Sequence, residues 1–488
     1  MAIPAGSGKS ASALLLAKLS GARTIILTAT KGLQNQYIRD IAPIGGVSVT
    51  GQNNFPCLLS RNLRADEGSC HDGIVCKLKE QCPYRLQLKR ALASRLIVTN
   101  YAYWLAQTNF SQGLGDVNLI IADEGHQAFS AMENYLTISI SRMDVQSLGI
   151  SFPETADDLW GAWKTWAGVA APIAAACIAD LDAQIREQEG NGQPVPLSIT
   201  RSYRTIKATA AKLTRLATVS EQWVIERTSH GYQFVPKWVA NYVSHLFAKT
   251  PKVVLMSAVL SPRSVDYLGV PSNGDRTWIE TDSSFPPQNT QIWHIPTARI
   301  NYHTDDYGSA VWVSRIDQII QRRLDRKGIV FTVSYERARL LLSRSHFKDI
   351  MLTHSTGDVV QVVEKFKRMD APVVLVSPTV TTGWDFPMLE SGHGRPQYGI
   401  IGKLPYPDSQ NLVTKARNED DKEWTSYLAM ETLVQSAGRF SRTPDDLAEI
   451  FIVDDSIKWF MKLYSHFAPL YFRKRYRGSK DFVPDPLL

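Results

Sequence analysis

The stretch Leu119-Ile-Ile-Ala-Asp-Glu-Gly-His126 is an apolar run that ends in two acids and a histidine. A short apolar run bounded by charge reads as a strand buried on both faces, as in a parallel sheet. Asp123, at the strand end, is placed to hold Mg²⁺ directly or through water, and Glu124 to polarise an attacking water. His126 is placed to link this site to a neighbouring element. A helix-capping acid pair is the plain alternative.

The N-terminus gives the acids a partner. The chain begins Met1-Ala-Ile-Pro-Ala-Gly-Ser-Gly-Lys-Ser10. Gly6, Ser7 and Gly8 form a loop whose N–H groups can turn toward phosphate. Lys9 would reach the β- and γ-phosphates, Ser10 would hold Mg²⁺, and the following helix adds its positive end. The pattern G-x-x-x-x-G-K-[ST] wants a glycine where Ile3 stands, so a flexible loop also fits. Only Met1–Ile3 precede the loop, so its strand is expected to be truncated or absent, and no upstream element reads adenine.

The 488 residues carry 44% hydrophobic and 21% charged side chains, which excludes a mostly disordered chain. At roughly 150 residues per domain, about three domains are expected. The formal charge of +7 permits a polyanionic partner without requiring one. The longest apolar run, Trp166 to Ala179, is shorter than the roughly 20 residues that span a bilayer and contains Pro172. With no secretory-type N-terminus, a soluble cytoplasmic protein without membrane partners is expected.

Further apolar runs read as strands: Thr24–Thr28, Leu96–Val98, Val253–Met256, Ile329–Phe331, Val373–Val376, Gly399–Ile401 and Ile450–Val453. Helical stretches such as Ser10–Leu19 and Ser334–Ser343 alternate with them, which makes the fold class α/β. Val253–Met256 stands apart from the early and late groups. The stretch from about 130 to 250 differs. Trp160, Trp163 and Trp166 recur at helical spacing in Asp158–Glu187, a stripe for helix packing, and a second helix is expected over Ser202–Val219.

The ordered set of motifs resembles superfamily-two helicases. After Gly-Ser-Gly-Lys-Ser and Asp-Glu-Gly-His, Thr28-Ala-Thr30 with Gln34 and Gln36 resembles motif Ia, and Thr99-Asn-Tyr101 sits where another strand-contacting motif belongs. Ser257-Ala-Val-Leu260 is similar to Ser-Ala-Thr, with Val259 replacing the threonine. Gly383-Trp-Asp385 resembles motif V, and Gln435-Ser-Ala-Gly-Arg-Phe-Ser-Arg442 fits the motif VI pattern Q-x-x-G-R-x-x-R. Gln435, Arg439 and Arg442 would lie at i, i+4 and i+7 on one helix face, where two guanidinium groups can clamp phosphate oxygens as arginine fingers. A solvated basic helix face is the alternative.

Four of the five cysteines fall at Cys57, Cys70, Cys76 and Cys82. Structural zinc sites use tight C-x₂₋₄-C pairs, and none occur here. Four thiolates suit an iron–sulfur cluster, though its common runs are tighter than these. Zinc and unliganded thiols remain open on spacing alone. Position decides for the resemblance: the DinG/XPD-type helicases carry a [4Fe–4S] domain at this point, and Cys82-Pro-Tyr84 with the basic tail Arg85, Lys89 and Arg90 resembles theirs.

The resemblance implies two RecA-like parallel-sheet motor domains, the first carrying an iron–sulfur insertion and a helical Arch-type insertion. The first would span 1–130 and 251–290, the cluster insertion 51–95, the Arch-type insertion 131–250 and the second motor domain 291–488. It implies ATP and Mg²⁺ between the lobes, with Asp385 near the nucleotide. Single-stranded and forked DNA would be the partner of a monomer acting 5′→3′ in DNA repair. Thr30, Thr99, Asn100 and Thr382 would touch the strand backbone and Tyr101 would stack on bases; Tyr103 and Trp104 could stack too, but core packing is the favoured expectation for these two. Two rival expectations come from other classes: an ATP-binding scaffold with impaired unwinding, suggested by Ile3 and Val259, and a nuclease–helicase.

Overall fold

The computed structural model describes residues 1–479 except 5, 60–62, 69, 71–75, 111–112, 154–159, 192, 194, 248–249, 271–274, 381–383, 385, 387–394 and 441–442. Its strands are β1 (Thr24–Thr28), β2 (Val47–Ser48), β3 (Leu96–Asn100), β4 (Leu119–Asp123), β5 (Ile138–Ser141), β6 (Val224–Arg227), β7 (Gly231–Val235), β8 (Lys252–Met256), β9 (Ile292–His294), β10 (Lys327–Phe331), β11 (Met351–Leu352), β12 (Val373–Ser377), β13 (Tyr398–Ile401), β14 (Glu449–Ile452) and β15 (Tyr476–Ser479).

The first sheet runs β2-β3-β1-β4-β8 and is parallel throughout. β1 and β4 are buried along their whole length, as expected of strands covered on both faces. β8 returns after a long insertion to pair with β4, Asp123 opposite Met256. Met1–Ile3 form no named strand. Ala2 bridges Ser257 and Glu280, and Ile3 N–H donates to Ser257 O at 2.9 Å, so this segment lies on the sheet just beyond β8.

The second sheet, β11-β12-β10-β13-β14-β9-β15, is parallel in every pair. Apolar clusters cover both of its faces, one built on Ile329, Phe331, Leu375 and Phe440, the other on Trp312, Val330, Val376 and Phe451. The α/β class with two parallel sheets is therefore as the sequence indicates.

Between β4 and β8 the chain builds a helical hairpin, Trp160–Gly190 against Leu197–Thr218. It also builds a sheet that the sequence reading missed, antiparallel β5-β7-β6. The Trp stripe packs on that sheet: the Trp163 ring, fully buried, lies 4.7 Å from Tyr232 and 4.8 Å from Phe234. One expectation is corrected here. The helix continues through Pro172, and by length and composition Trp160–Gln188 is long and apolar enough to cross a membrane. The 31-residue helix is longer than the apolar run Trp166–Ala179 weighed in the sequence and gathers apolar residues on both sides of Pro172. Its inward side, Trp163, Ala167, Ala170 and Ala174, is buried in the protein.

Candidate nucleotide cleft

The carboxyl ends of the first sheet deliver Thr30, Asn100, Asp123–Glu124 and Ser257 to one edge, the place where open α/β sheets bind ligands. Gly6 and Gly8 adopt φ of +78°, and Gly8 caps the helix Lys9–Ser20. The left-handed turn, rather than crowding, requires glycine at Gly8. Ser7 Oγ is buried with no hydrogen-bond partner among the described residues. An orphaned hydroxyl inside a glycine loop fits an oxygen-rich ligand such as phosphate.

Asp123 is 1% exposed. Its Oδ2 accepts from Tyr37 Oη at 2.8 Å and its Oδ1 from the Glu124 amide at 2.9 Å. Burial and the adjacent Glu124 push its pKa up to about 6, against the pull of Tyr37 and Lys9. The sequence gave no sign of Tyr37, which also hydrogen-bonds Ser10 and so links the loop to the acid. Glu124 sits at φ +51°, an uncommon conformation for a residue with a Cβ, and this re-aims its carboxylate after the strand. The next residue must be glycine for space: a Cβ on Gly125 would lie 3.1 Å from Leu255 Cβ and 3.3 Å from the Met256 amide.

Burial works against ionising Glu124. Lys9, the Ser257 hydroxyl and Arg439, joined by His126 only where its ring is protonated, outweigh it and hold its pKa below the ordinary carboxylate value. His126 is lowered to about 4, first by burial and then by the positive charges of Lys9 and Arg439, so it is neutral at pH 7. Its Nδ1 lies 2.7 Å from Ser257 Oγ and its Nε2 2.7 Å from Gln435 Nε2. Ser257 Oγ lies 3.2 Å from Glu124 Oε2. An ionised carboxylate only accepts, so Ser257 donates to Glu124 and accepts from His126 Nδ1–H. The neutral ring then accepts at Nε2, and the Gln435 amide donates to it. His126 thus joins the first sheet's edge to the second lobe.

Lys9 and Arg439 act on the same two groups, Glu124 and His126, from opposite lobes. The single helix face expected for Gln435, Arg439 and Arg442 is corrected, however. The helix Trp424–Ala437 ends before Arg439, which lies in the 3₁₀ turn Gly438–Phe440 and donates Nη1 to Trp384 O at 2.5 Å. Phe440 causes the tightening: its fully buried ring fills the space over Gly399, where a Cβ would meet it at 2.2 Å. Arg442, Asp385, Gly383 and Thr382 lie outside the described residues.

A seam away from this cleft binds the lobes further. Arg417 pairs with Glu133, donates Nε to Lys237 O at 2.6 Å, and lies 4.9 Å from the Phe129 ring and 5.4 Å from that of Trp424. Lys237 and Trp238 both reach Asp420, at 2.8 and 2.9 Å.

The strand-contact residues divide. Thr30 is exposed and caps the helix Lys31–Ile41. Asn100 is half-buried and bonds Gln34 and the Tyr103 amide. Thr99 and Tyr101 are corrected: Thr99 is fully buried with its hydroxyl on Val49 O, and Tyr101, 3% exposed, donates to Asp123 O at 3.2 Å. Tyr101 has no ring face free for a base and instead braces the acidic strand end. Tyr103 and Trp104 are buried too, on Tyr84 and Leu246 O.

Among the described residues, no three His, Cys, Asp or Glu side chains stand close enough to hold one metal ion. The four clustered cysteines nonetheless share one neighbourhood. Burial raises the Cys70 pKa, and Cys76, Cys57 and Cys82 add to it while Arg85 opposes. A Cβ on Gly68 would lie 3.2 Å from Cys57 Sγ and 3.7 Å from Cys70 Sγ. Beside them opens a cleft of about 180 Å³ lined by Gln52, Cys70, Cys82 and Arg85. Two thiols, Cys70 and Cys82, border this space with the Arg85 guanidinium, and thiolates are the donor type that an anionic iron–sulfur cluster uses. Arg204, from the helix Leu197–Thr218, grips this loop at Glu67 O (2.6 Å) and Gly68 O (2.9 Å).

Residues 318–469 match the helicase C-terminal domain family. The chain resembles the structure of S. tokodaii Xpd4 at 17% identity, covering 98% of this chain and 95% of that one with a TM-score of 0.58. It also resembles an XPD helicase (16%, 98% and 95%, 0.61) and an apo XPD (14%, 98% and 96%, 0.55). No curated protein matches it in sequence. The chain therefore has the fold of these XPD structures, and the match to the helicase C-terminal domain family falls in its second lobe.

Proposed function

We propose that this chain is an ATP-driven motor on single-stranded DNA, a helicase of the XPD/DinG type that moves 5′→3′ and opens forked duplexes as a monomer. The observation that carries the reading is the hydrogen bond between Gln435 and His126. It couples the acidic strand end of one lobe to the helix ahead of Arg439 in the other, which is what a cleft that senses a nucleotide requires.

In this reading Lys9 and the Gly6–Gly8 loop grip the phosphates. Ser10 and Asp123 hold Mg²⁺, which when bound supplies charge to the phosphate oxygens. Glu124, kept ionised by its neighbours, orients the attacking water and takes its proton. Arg439 brings positive charge from the second lobe, and Arg442 and Asp385 are assigned beside it by the motif resemblance. Thr30, Asn100 and Thr382 hold the strand. Segments 1–130 and 251–290 act as one motor domain, 291–488 as the other, and 131–250 as the Arch-type insertion.

Cys57, Cys70, Cys76 and Cys82 are assigned to a [4Fe–4S] cluster that fixes segment 51–95. What supports this is that Cys70 and Cys82 line one cleft and that Cys57, Cys76 and Cys82 all act on the Cys70 thiol. The deciding experiment is strand displacement on duplexes with a single-stranded tail at either end. Unwinding from the 5′ tail alone, with ATP and Mg²⁺, is expected; ATP turnover that no single strand stimulates would overturn the motor reading. Purified protein is expected to be brown and to hold about four iron and four sulfide per chain, whereas one zinc per chain would remove the cluster.

A further inference from the structure

The carboxyl edge of the second sheet brings together two basic side chains, Arg337 and Lys403, that the nucleotide cleft does not use. β10 and β13 pair in parallel, Phe331 opposite Ile401, so the helix Tyr335–Arg344 and the turn Gly402-Lys403 begin side by side. Arg337, in the first turn of that helix, donates Nη2 to Asn301 O at 2.6 Å and lies over the Trp312 ring. Trp312 in turn donates Nε1 to Gly402 O at 2.7 Å. Lys403 is half-buried, and its ammonium has no hydrogen-bond or ion-pair partner among the described residues.

The acid facing both cations, Asp454, is already committed. It is fully buried and accepts from the amides of Leu404 (2.9 Å), Ser456 (2.9 Å) and Ile300 (3.2 Å). Burial, and then the Arg337 charge, pull the Lys403 ammonium below its ordinary pKa. Glu336, on the same helix, faces Arg337. Two cations held together over an amide-saturated acid make a place for an external anion. The loop that Arg337 holds at Asn301 continues into Tyr302, which is 95% exposed, with its ring 5.5 Å from that of His303. An exposed aromatic ring on the loop that one of these cations holds is the chemistry that recognises a single-stranded polynucleotide.

We propose that Lys403 and Arg337 bind a backbone phosphate of a single-stranded polynucleotide and that Tyr302 stacks on an adjacent base. This rests on the nucleic-acid motor reading and adds a contact on the second lobe.

The test measures binding of the full chain to oligo-dT and to an abasic strand of equal length over a range of salt. Lys403→Gln is expected to weaken both and to flatten the log–log salt dependence by about 0.7 for one lost phosphate contact. Tyr302→Ala is expected to lose about fivefold or more on oligo-dT and nothing on the abasic strand. Lys403→Arg is expected to keep the slope, and ATP turnover without a strand to stay unchanged in all three. A Lys403→Gln protein that keeps wild-type affinity and slope overturns the proposal while leaving the motor reading intact. So does equal loss in Lys403→Arg, or equal competition by inorganic phosphate. A wild-type protein that binds no oligo-dT at low salt defeats the motor reading itself, and this contact with it.

Discussion

Gln435 donates to His126 Nε2 across 2.7 Å, and through Ser257 that contact ends on the Glu124 carboxylate. The direction of every proton in this chain follows from one fact, the ionised state of Glu124. The second lobe thereby touches the group assigned to orient water without itself entering the loop that holds phosphate.

Gln435→Ala leaves the buried imidazole without its donor, a loss of about 1–3 kcal/mol. Strand-stimulated ATP turnover is expected to fall on the order of tenfold or more, with ATP affinity little changed. Steady-state kinetics and nucleotide binding measured side by side check it; an unaltered turnover number would mean that the contact carries no signal.

Lys9→Ala and Glu124→Gln separate binding from chemistry. Lys9→Ala removes the cation facing both Glu124 and His126 and is expected to abolish ATP binding and turnover together. Glu124→Gln keeps size and hydrogen bonding but not the base, so ATP still binds while turnover drops by about 10²–10⁴. Equilibrium binding of a labelled ATP analogue distinguishes the two.

Glu431, one turn before Gln435, is raised to about 8 by burial, with Glu124 adding and Tyr427 opposing. Its Oε1 has no partner among the described residues. The folded state therefore holds a proton that the unfolded state releases near pH 4.5, the ordinary value. Its contribution is fully present below about pH 4.5 and is lost as pH rises to about 8, by at most about 1.4 kcal/mol per pH unit. Glu431→Gln is expected to raise the melting temperature at pH 8 and to do less at pH 5. A difference between the two proteins that does not vary with pH would contradict this.

Gly68→Ala tests the cysteine assignment. The added methyl would press on Cys57 Sγ and lie 3.4 Å from Ala65 O. Iron content and the visible absorption of the cluster are expected to fall well below wild type, as in Cys76→Ser, while the melting of the second lobe stays unchanged.

Eight of the parallel strands were legible because burial on both faces writes uninterrupted apolar runs, as in Ile25-Ile-Leu27 and Val373-Val-Leu-Val376, whereas the short β2, β9, β11 and β15 escaped the reading. β5 and β7 were not legible either. Ile138-Ser-Ile-Ser is too short an alternation to stand out from the helices around it. His126 announced itself as a linking residue beside the acids, but its partner lies 309 residues away and no local pattern pairs them. The helix end at Ala437 was invisible for another reason. Gln-Ser-Ala-Gly-Arg-Phe reads equally as helix or turn, and only the seat of Phe440 on Gly399 decides it. Tyr101 misled because an aromatic after a strand looks the same whether it faces solvent or braces Asp123 from behind. The seam around Arg417 joins Glu133, Lys237 and Trp424, which share no spacing at all.

Arg204 holds the cysteine loop at two backbone carbonyls, those of Glu67 and Gly68. Carbonyl oxygens hold their positions only as well as the loop that bears them. If the proposed cluster sits there, its oxidative loss would slacken a mooring on the long hairpin, and damage at these four cysteines would be felt as wobble in an element that contains none of them.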